Sequence, residues 1–451
     1  MLYRKISKYI ESHLTSGSDK ILLIEGARQV GKSFIVRNVC KATFKNYVEI
    51  NFVADDEGPR LFRNLRTTEE LYFALSSVEG RKLGTYNDTI IFLDEIQHYP
   101  QYLTMLKFLR EEHRFHFIAS GSMLGITLRS TTSIPVGSII RHSMYQLDFE
   151  EFAMACGMGE DAMARIKDAW HRRESLSPEM HDRMMSLFKR YLLVGGMPDV
   201  VNEYIASHNI VKVRRLQNAI HTLYKDDASK YADASDKELA VRRIYDMIPS
   251  QMENKKKRIV AKDIRGVDGD RFTRYQTEFE YLVSSGIAID VHAISNPRFP
   301  LAESVSKNLL KLYLNDVGML TAQLYANNIQ AVTDDVRSVN LGAVYESVVA
   351  QELLAHGHRL FYYDNRKNGE VDFLIDDYSQ VSVLPIEVKS GKDYTVHSAL
   401  TRLIACSDYH IKEGVVLCNS REVRADGNIT YMPIYYIMFF DTSSSSADIY
   451  F

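Results

Sequence analysis

The sequence predicts an α/β protein. A parallel sheet wound with helices stands first, a helical and then winged-helix-like middle follows, and a second α/β domain closes the chain. Three observations carry this expectation. A glycine-rich turn, GARQVGKS, stands between an apolar run and a helix start. A second apolar run, in TIIFLDEIQ, ends in two adjacent acids. Near the end of the chain, GEVDFLI and LPIEVKS place carboxylates and a lysine at alternating strand positions.

The elements follow in order. MLYRKISKYIESHL spreads its charges throughout and reads as an amphipathic helix, not a secretory signal. Ile21 to Glu25 suits a buried parallel strand. Gly26, Ala27, Arg28, Gln29, Val30, Gly31, Lys32 and Ser33 then fill the phosphate-loop pattern G-x-x-x-x-G-K-[ST] completely. Glycines let the backbone wrap an anion closely, and the helix that follows aims free N–H groups and a positive dipole at it. Lys32 suits the β- and γ-phosphates of ATP, and the Ser33 hydroxyl suits Mg²⁺. A chance glycine turn before an ordinary helix is the alternative, and the strand before and helix after speak against it.

NYVEINF, from Asn46 to Phe52, fits the next strand, and Ile90 to Leu93 another. Asp94 and Glu95 then fall at a strand's C-terminal end, where ligands collect in open α/β sheets. Asp94 suits Mg²⁺ through water, and Glu95 is placed to polarise an attacking water. Solvated acids after a strand are the plain alternative. FHFIASGS ends in Ser120, Gly121 and Ser122; a hydroxyl there could sense the γ-phosphate, or the stretch is a simple Ser-Gly turn. HSMYQLDF, His142 to Phe149, reads as the last strand of a domain spanning 1–150.

Residues 151–250 turn helical, punctuated by Gly195, Gly196 and Pro198 in YLLVGGMPDVV. Over 251–305, helical patterns around Ala261 and from Thr273 to Ser284 precede a short β-rich stretch, the outline of a winged helix. Lys255, Lys256, Lys257, Arg258, Lys262, Arg265, Arg271 and Arg274, with Phe272 and Tyr275 between, make it locally basic. Contact with a phosphate backbone and a solvated face on a packing module are both open readings. The expected last domain, 306–451, is α/β again, with a helix LGAVYESVVAQELLAHG before its strands.

On a strand, side chains alternate faces, so Glu387 and Lys389 point one way while Ile386 and Val388 point the other. Asp372 shares a face with Glu370, and a hairpin would gather Asp372, Glu387 and Lys389. Two carboxylates can bind Mg²⁺, and a nearby lysine can orient or activate water. Glu346, on the preceding helix, is a further candidate acid. Taken alone the pattern is short, since polar residues alternate on any half-buried strand.

Composition bounds the rest. At 451 residues with 45% hydrophobic residues, the chain can build two to four domains. A net charge of −3 gives no global basic signal, so any nucleic-acid surface must be local. Cys40, Cys156, Cys406 and Cys418 lack C-x-x-C spacing and read as reduced thiols. No apolar run approaches membrane-spanning length, and a cytoplasmic protein without a membrane partner is expected.

Taken together the motifs become recognisable. GARQVGKS, IIFLDEIQ, ASGSML, QLDFEEF, YLLVGGMPDVV, KLYLNDVGML, VYESVVAQELL, GEVDFLI and IEVKSG occur in this order. In that set the chain resembles, nearly end to end, bacterial and archaeal AAA+-like P-loop ATPases with a C-terminal domain of unknown function similar to PD-(D/E)xK nucleases. The resemblance implies an ATPase core using ATP and Mg²⁺, a winged-helix-like middle and a nuclease-like end built on Asp372, Glu387 and Lys389. Similar proteins often carry a basic residue after the glycine of SIPVGSII, where this chain has Ser138; Arg141 or Arg129 would take that role, or none does. Two functions remain in view: ATP hydrolysis coupled to Mg²⁺-dependent nucleic-acid cleavage, and an ATP-driven switch or binding module whose nuclease-like fold only docks. The partners considered are nucleic acid, DNA ahead of RNA, and further copies of the chain.

Overall fold

The computed structural model describes residues 2–79, 83–122, 137–230, 235–253, 263–264, 272–305, 310–334, 341–391 and 393–442. The chain divides into two compact units, Met1–Gln146 with Ser284–Gly286, and Leu147–Val283 with Ile287–Phe451.

The first unit opens on α1 (Lys5–Thr15), which buries Ile6 and Ile10 as an amphipathic helix should. Its sheet comprises β1 (Ile21–Glu25), β2 (Asn46–Asn51), β3 (Thr89–Asp94), β4 (His116–Gly121) and β5 (Ile139–Ser143), in the order β2-β3-β4-β1-β5. All neighbours are parallel. Helices α2 (Lys32–Thr43), α3 (Phe52–Glu57), α4 (Thr68–Glu79) and α5 (Gln101–Glu112) connect them. β3 is buried along its whole length, the signature of a strand covered on both faces. Leu23, Ile91, Leu93, Leu103, Leu106 and Ala119 belong to one core cluster of this unit. Parallel pairing brings the C-terminal ends of β1, β2, β3 and β4 to one edge, so Gly26, Asn51, Asp94 and Ser120 share it.

One strand differs from expectation. The last strand of this sheet is Ile139–Ser143, and Phe149 instead begins α6 (Phe149–Ala155) of the second unit. The reason is a capping box: the Asp148 carboxylate accepts from Glu151 N at 2.8 Å, and Asp148 N donates back to the Glu151 carboxylate at 3.3 Å. Asn51 does the same at a smaller scale, accepting from Ala54 N at 3.0 Å and starting α3 at Phe52.

The second unit continues with α7 (Glu160–His171), α8 (Pro178–Val194), α9 (Pro198–Ser207), α10 (Ile210–Lys230), α11 (Ser235–Glu253) and α12 (Gln276–Ser284). Its sheet holds β6 (Ala288–Ile294), β7 (Leu310–Leu314), β8 (Phe361–Asn365), β9 (Gly369–Asp377), β10 (Ser382–Val388), β11 (Gly414–Cys418), β12 (Arg424–Asp426) and β13 (Ile429–Pro433), ordered β12-β13-β11-β10-β9-β8-β6-β7. Helices α13 (Val317–Tyr325), α14 (Gly342–Ala355) and α15 (Ser398–Ile404) lie between the strands in sequence.

This sheet alters the winged-helix reading. β6 pairs antiparallel with β7 and parallel with β8, so the β-rich stretch is no separate wing; it belongs to the sheet of the last third. Buried residues on both of its faces, among them Ala288, Ile289 and Val291, call for such neighbours. Tyr275 is buried in the core and presents no ring for stacking on a base. Lys255 to Arg258, Lys262, Arg265 and Arg271 lie outside the described residues.

The double glycine has a packing cause. Gly195, at φ 73°, follows the end of α8, and a Cβ there would overlap the Asp316 carboxylate. A Cβ on Gly196 would overlap the carbonyl oxygen of Leu147, whose N–H donates to Gly196 O at 2.8 Å. Asp316 is fully buried, accepts from Gly196 N at 2.6 Å and caps α13 through Met319 N at 3.0 Å. Burial pushes its carboxyl up to about 6 despite those N–H groups. Buried Arg214 closes the arrangement by donating to the carbonyls of Leu193 at 2.9 Å and Ala326 at 2.7 Å, at the ends of α8 and α13. Thus YLLVGGMPDVV and KLYLNDVGML are two halves of one structural joint. Gly196→Ala is expected to destabilise the unit by about 3 kcal/mol in chemical denaturation, because backbone rather than a movable side chain blocks the methyl group.

Candidate functional site

The loop from Gly26 to Ser33 joins β1 to α2 with no residue to spare. Gly26 leaves no room for a Cβ because Met144 O stands in its place. Gly31 is left-handed at φ 92° and Gln29 at φ 68°, so the loop reverses direction in a span too short for ordinary turns. Val30 faces inward, and buried Arg4 fastens its carbonyl (3.1 Å) and that of Tyr145 (2.5 Å). Nothing local in the sequence marks Arg4 for that task. Lys32 is buried and donates to Gly26 O at 3.0 Å and Ala27 O at 2.9 Å. Burial lowers its pKa, opposed by the charges of Glu95 and Asp94.

At the end of β3 the two acids part company. Asp94 accepts from Ser33 Oγ at 3.0 Å, from Asn51 Nδ2 at 3.0 Å and from Ser120 Oγ. The last residue of the phosphate loop and the acid of β3 are therefore in direct contact. Burial raises the Asp94 pKa, against the pull of Ser120 and Ser33. Glu95 turns away with a left-handed backbone, φ 56° and ψ 45°. Its Oε2 accepts from Ser122 Oγ at 3.0 Å and from Gln97 Nε2. Burial alone would raise its pKa, but Lys32, then Gln97 and Ser122, hold it below the usual glutamate value. Ser120 thus sits on Asp94, while Ser122 sits on Glu95. Asn51 and Gln97 escape sequence reading: one ends a different strand, and the other follows the acids with no motif to single it out.

Arg141 is paired with Glu25 at 2.6 Å, and Arg110 reaches Ser138 Oγ at 3.3 Å. Arg129 lies outside the described residues.

The second constellation assembles on the sheet of the other unit. Ile386 lies opposite Phe373, which sets Glu387 beside Asp372 where the β9–β10 ladder ends. There the Asp372 carboxylate, in place of a backbone carbonyl, accepts from Val388 N at 2.9 Å. Lys389 Nζ meets Glu387 Oε1 at 2.8 Å. Buried Glu346, on α14, accepts from Tyr313 OH at 3.4 Å and acts on the titration of both Glu387 and Lys389. Glu370 is engaged separately by buried Lys311 at 2.5 Å. Burial and the facing Asp372 push Glu387 up to about 8, with Lys389 opposing. Lys389 is raised by Glu387 and Asp372 against the cost of burial, so it keeps its charge. Burial and Asp372 thus favour the neutral form of the Glu387 carboxyl. Its Oε2 is buried without a hydrogen-bond partner among the described residues, an acceptor suited to a cation. Among the described residues, however, no three His, Cys, Asp or Glu side chains are gathered as a metal cluster.

Residues 18–153 match the family described as AAA domain. Residues 185–330 and 341–437 match two families described as Domain of unknown function, DUF8612 and DUF4143. No curated protein matches the chain. Among solved structures, the Walker-type ATPase paby2304 of Pyrococcus abyssi is 16% identical over 71% of this chain and 95% of that one, with a TM-score of 0.42. The Aeropyrum pernix ORC1 protein in complex with DNA is 12% identical over 71% and 91%, with a TM-score of 0.30. The Thermotoga maritima RuvB Holliday junction branch migration motor is 13% identical over 66% and 90%, with a TM-score of 0.28. No helix among the described residues is long and apolar enough to cross a membrane. The parallel five-stranded sheet, its loop at 26–33 and the match over 18–153 together support an AAA+-like P-loop domain over that segment of the chain.

Proposed function

We propose that this protein hydrolyses ATP with Mg²⁺ and couples the reaction to nucleic-acid work by the C-terminal α/β region. The observation that carries the ATPase half is the 3.0 Å bond between Ser33 Oγ and Asp94 Oδ1, which joins the phosphate loop to the acid of β3. Those two oxygens fit a hard cation, and Ser33 and Asp94 would hold it. When bound, Mg²⁺ neutralises charge on the transferring phosphoryl group. Lys32 binds the β- and γ-phosphates, the backbone N–H groups from Gly26 to Ser33 cradle them, and Glu95 accepts a proton from water. Phosphate release from ATP, with and without Mg²⁺, tests this half; no turnover under either condition rejects it.

For the second half, Asp372 and Glu387 would hold a divalent cation and Lys389 would orient water, with Glu346 assisting. The buried Glu387 Oε2, without a hydrogen-bond partner among the described residues, supports this reading. Labelled DNA and RNA, single- and double-stranded, should be cut in a Mg²⁺-dependent way that Glu387→Gln abolishes. A second reading has support of its own: the raised Glu387 pKa favours its neutral, protonated carboxyl, which suits a nuclease-like fold that docks without cutting.

A cation at Asp372 and Glu387 must displace that proton. Because the Glu387 pKa stands above its ordinary value, cation affinity should rise as pH rises towards and through about 8, by up to about tenfold per pH unit below it. Mg²⁺-dependent thermal shifts between pH 6 and pH 9 measure this. A flat dependence in the wild type, or the same slope in Glu387→Gln, removes Glu387 from the site.

A further inference from the structure

We propose that Gln97 and Ser122 are positioning residues that clamp one oxygen of the Glu95 carboxylate, leaving the other to act on the attacking water. The inference rests on the ATPase reading. Glu95 occupies a left-handed conformation that L side chains adopt infrequently. The turn that follows, Ile96–His98, folds Gln97 back over Glu95. Gln97 Nε2 donates to Glu95 Oε2 and, at 3.1 Å, to Ser122 Oγ. Ser122 Oγ donates its own proton to the same Oε2 at 3.0 Å. The triangle is closed and consistent: each proton has one acceptor, and the reversed amide would set a carbonyl against a carboxylate.

Both partners are out of solvent, Ser122 fully buried and Gln97 7% exposed, so water does not compete for these bonds. Both bonds to Glu95 fall on Oε2, and Oε1 is left out of the clamp. The charged groups acting on this carboxylate are Lys32 and Arg28 from the phosphate loop and Asp94 beside it. A clamp of neutral donors adds to the effect of the two cations, because hydrogen bonds to a carboxylate favour its ionised form. The device also links the end of β4 to the end of β3, so the spacing of two strands sets where the base stands.

The test measures kcat and KM for ATP with Mg²⁺ between pH 5 and pH 9 in the full chain, for wild type, Gln97→Leu and Ser122→Ala. Gln97→Leu keeps the side-chain volume without the amide, and Ser122→Ala removes a single buried oxygen. Each variant should lose between about tenfold and a hundredfold in kcat, as for a misplaced catalytic group. KM should stay within about twofold, because the phosphate contacts are untouched. A lower kcat with KM raised in step assigns both residues a structural role, and unchanged kcat removes them altogether; either result overturns the proposal. Ser122→Ala carries the test if Gln97→Leu does not fold. A wild type without ATP turnover rejects the ATPase reading and this inference with it. An active wild type stopped by Glu95→Gln but indifferent to both clamp variants rejects this inference alone.

Discussion

Replacing Lys32 by alanine is expected to stop ATP turnover and to weaken nucleotide binding by between about tenfold and a hundredfold, the value of one or two charge-assisted hydrogen bonds. The size of the effect follows from burial. Lys32 is 5% exposed, so its charge faces the phosphates without bulk water to screen it. Its loss also reaches Glu95, because Lys32 is the strongest influence holding that carboxyl below its ordinary pKa. The variant therefore loses a phosphate ligand and a well-ionised base together. Equilibrium binding of a fluorescent ATP analogue separates the first loss from the second. An intact variant that binds and hydrolyses like wild type would remove the loop from any role in nucleotide chemistry.

Glu95→Gln should behave differently, keeping nucleotide affinity while hydrolysis falls by about 10² to 10⁴, as for a lost general base. The amide has the shape of the carboxylate and can still accept from Ser122 and Gln97, so the clamp and fold survive. Only the proton-accepting charge is gone. The same assignment sets the pH behaviour expected of the wild type. With its pKa held below the usual glutamate value, Glu95 is ionised through neutral pH, and activity should fall only on the acid side as it takes up a proton. Single-turnover phosphate release with pre-bound ATP reads this step directly. Normal release in the variant would place the base elsewhere.

Much of the first site can be read from contiguous residues. A phosphate loop binds by backbone N–H groups and one lysine in a fixed local order, and Gly26 to Ser33 carry that order, so the order itself is the signal. Asp94 and Glu95 are legible because an apolar run must end somewhere and its C-terminal end is where parallel sheets gather ligands. The carboxylate pair of the second unit is legible to a lesser degree. Alternation puts Glu387 and Lys389 on one face, but their meeting with Asp372 depends on a register that no local pattern encodes.

The sequence by itself determined the α/β class, the phosphate loop, the acidic strand end and the strands that carry Asp372 and Glu387, because short-range periodicity and backbone chemistry specify each of them. Only the tertiary structure decided that Asn51 and Ser120 hold Asp94, that Gln97 and Ser122 hold Glu95, and that Gly195 and Gly196 make room for Asp316 and Leu147. It also decided that β6 joins the sheet of the last third, and that Phe149 begins a helix on an Asp148 cap. These choices rest on hydrogen bonds and close packing between residues distant in sequence. Such contacts depend on strand order and register, and a one-dimensional pattern leaves both open.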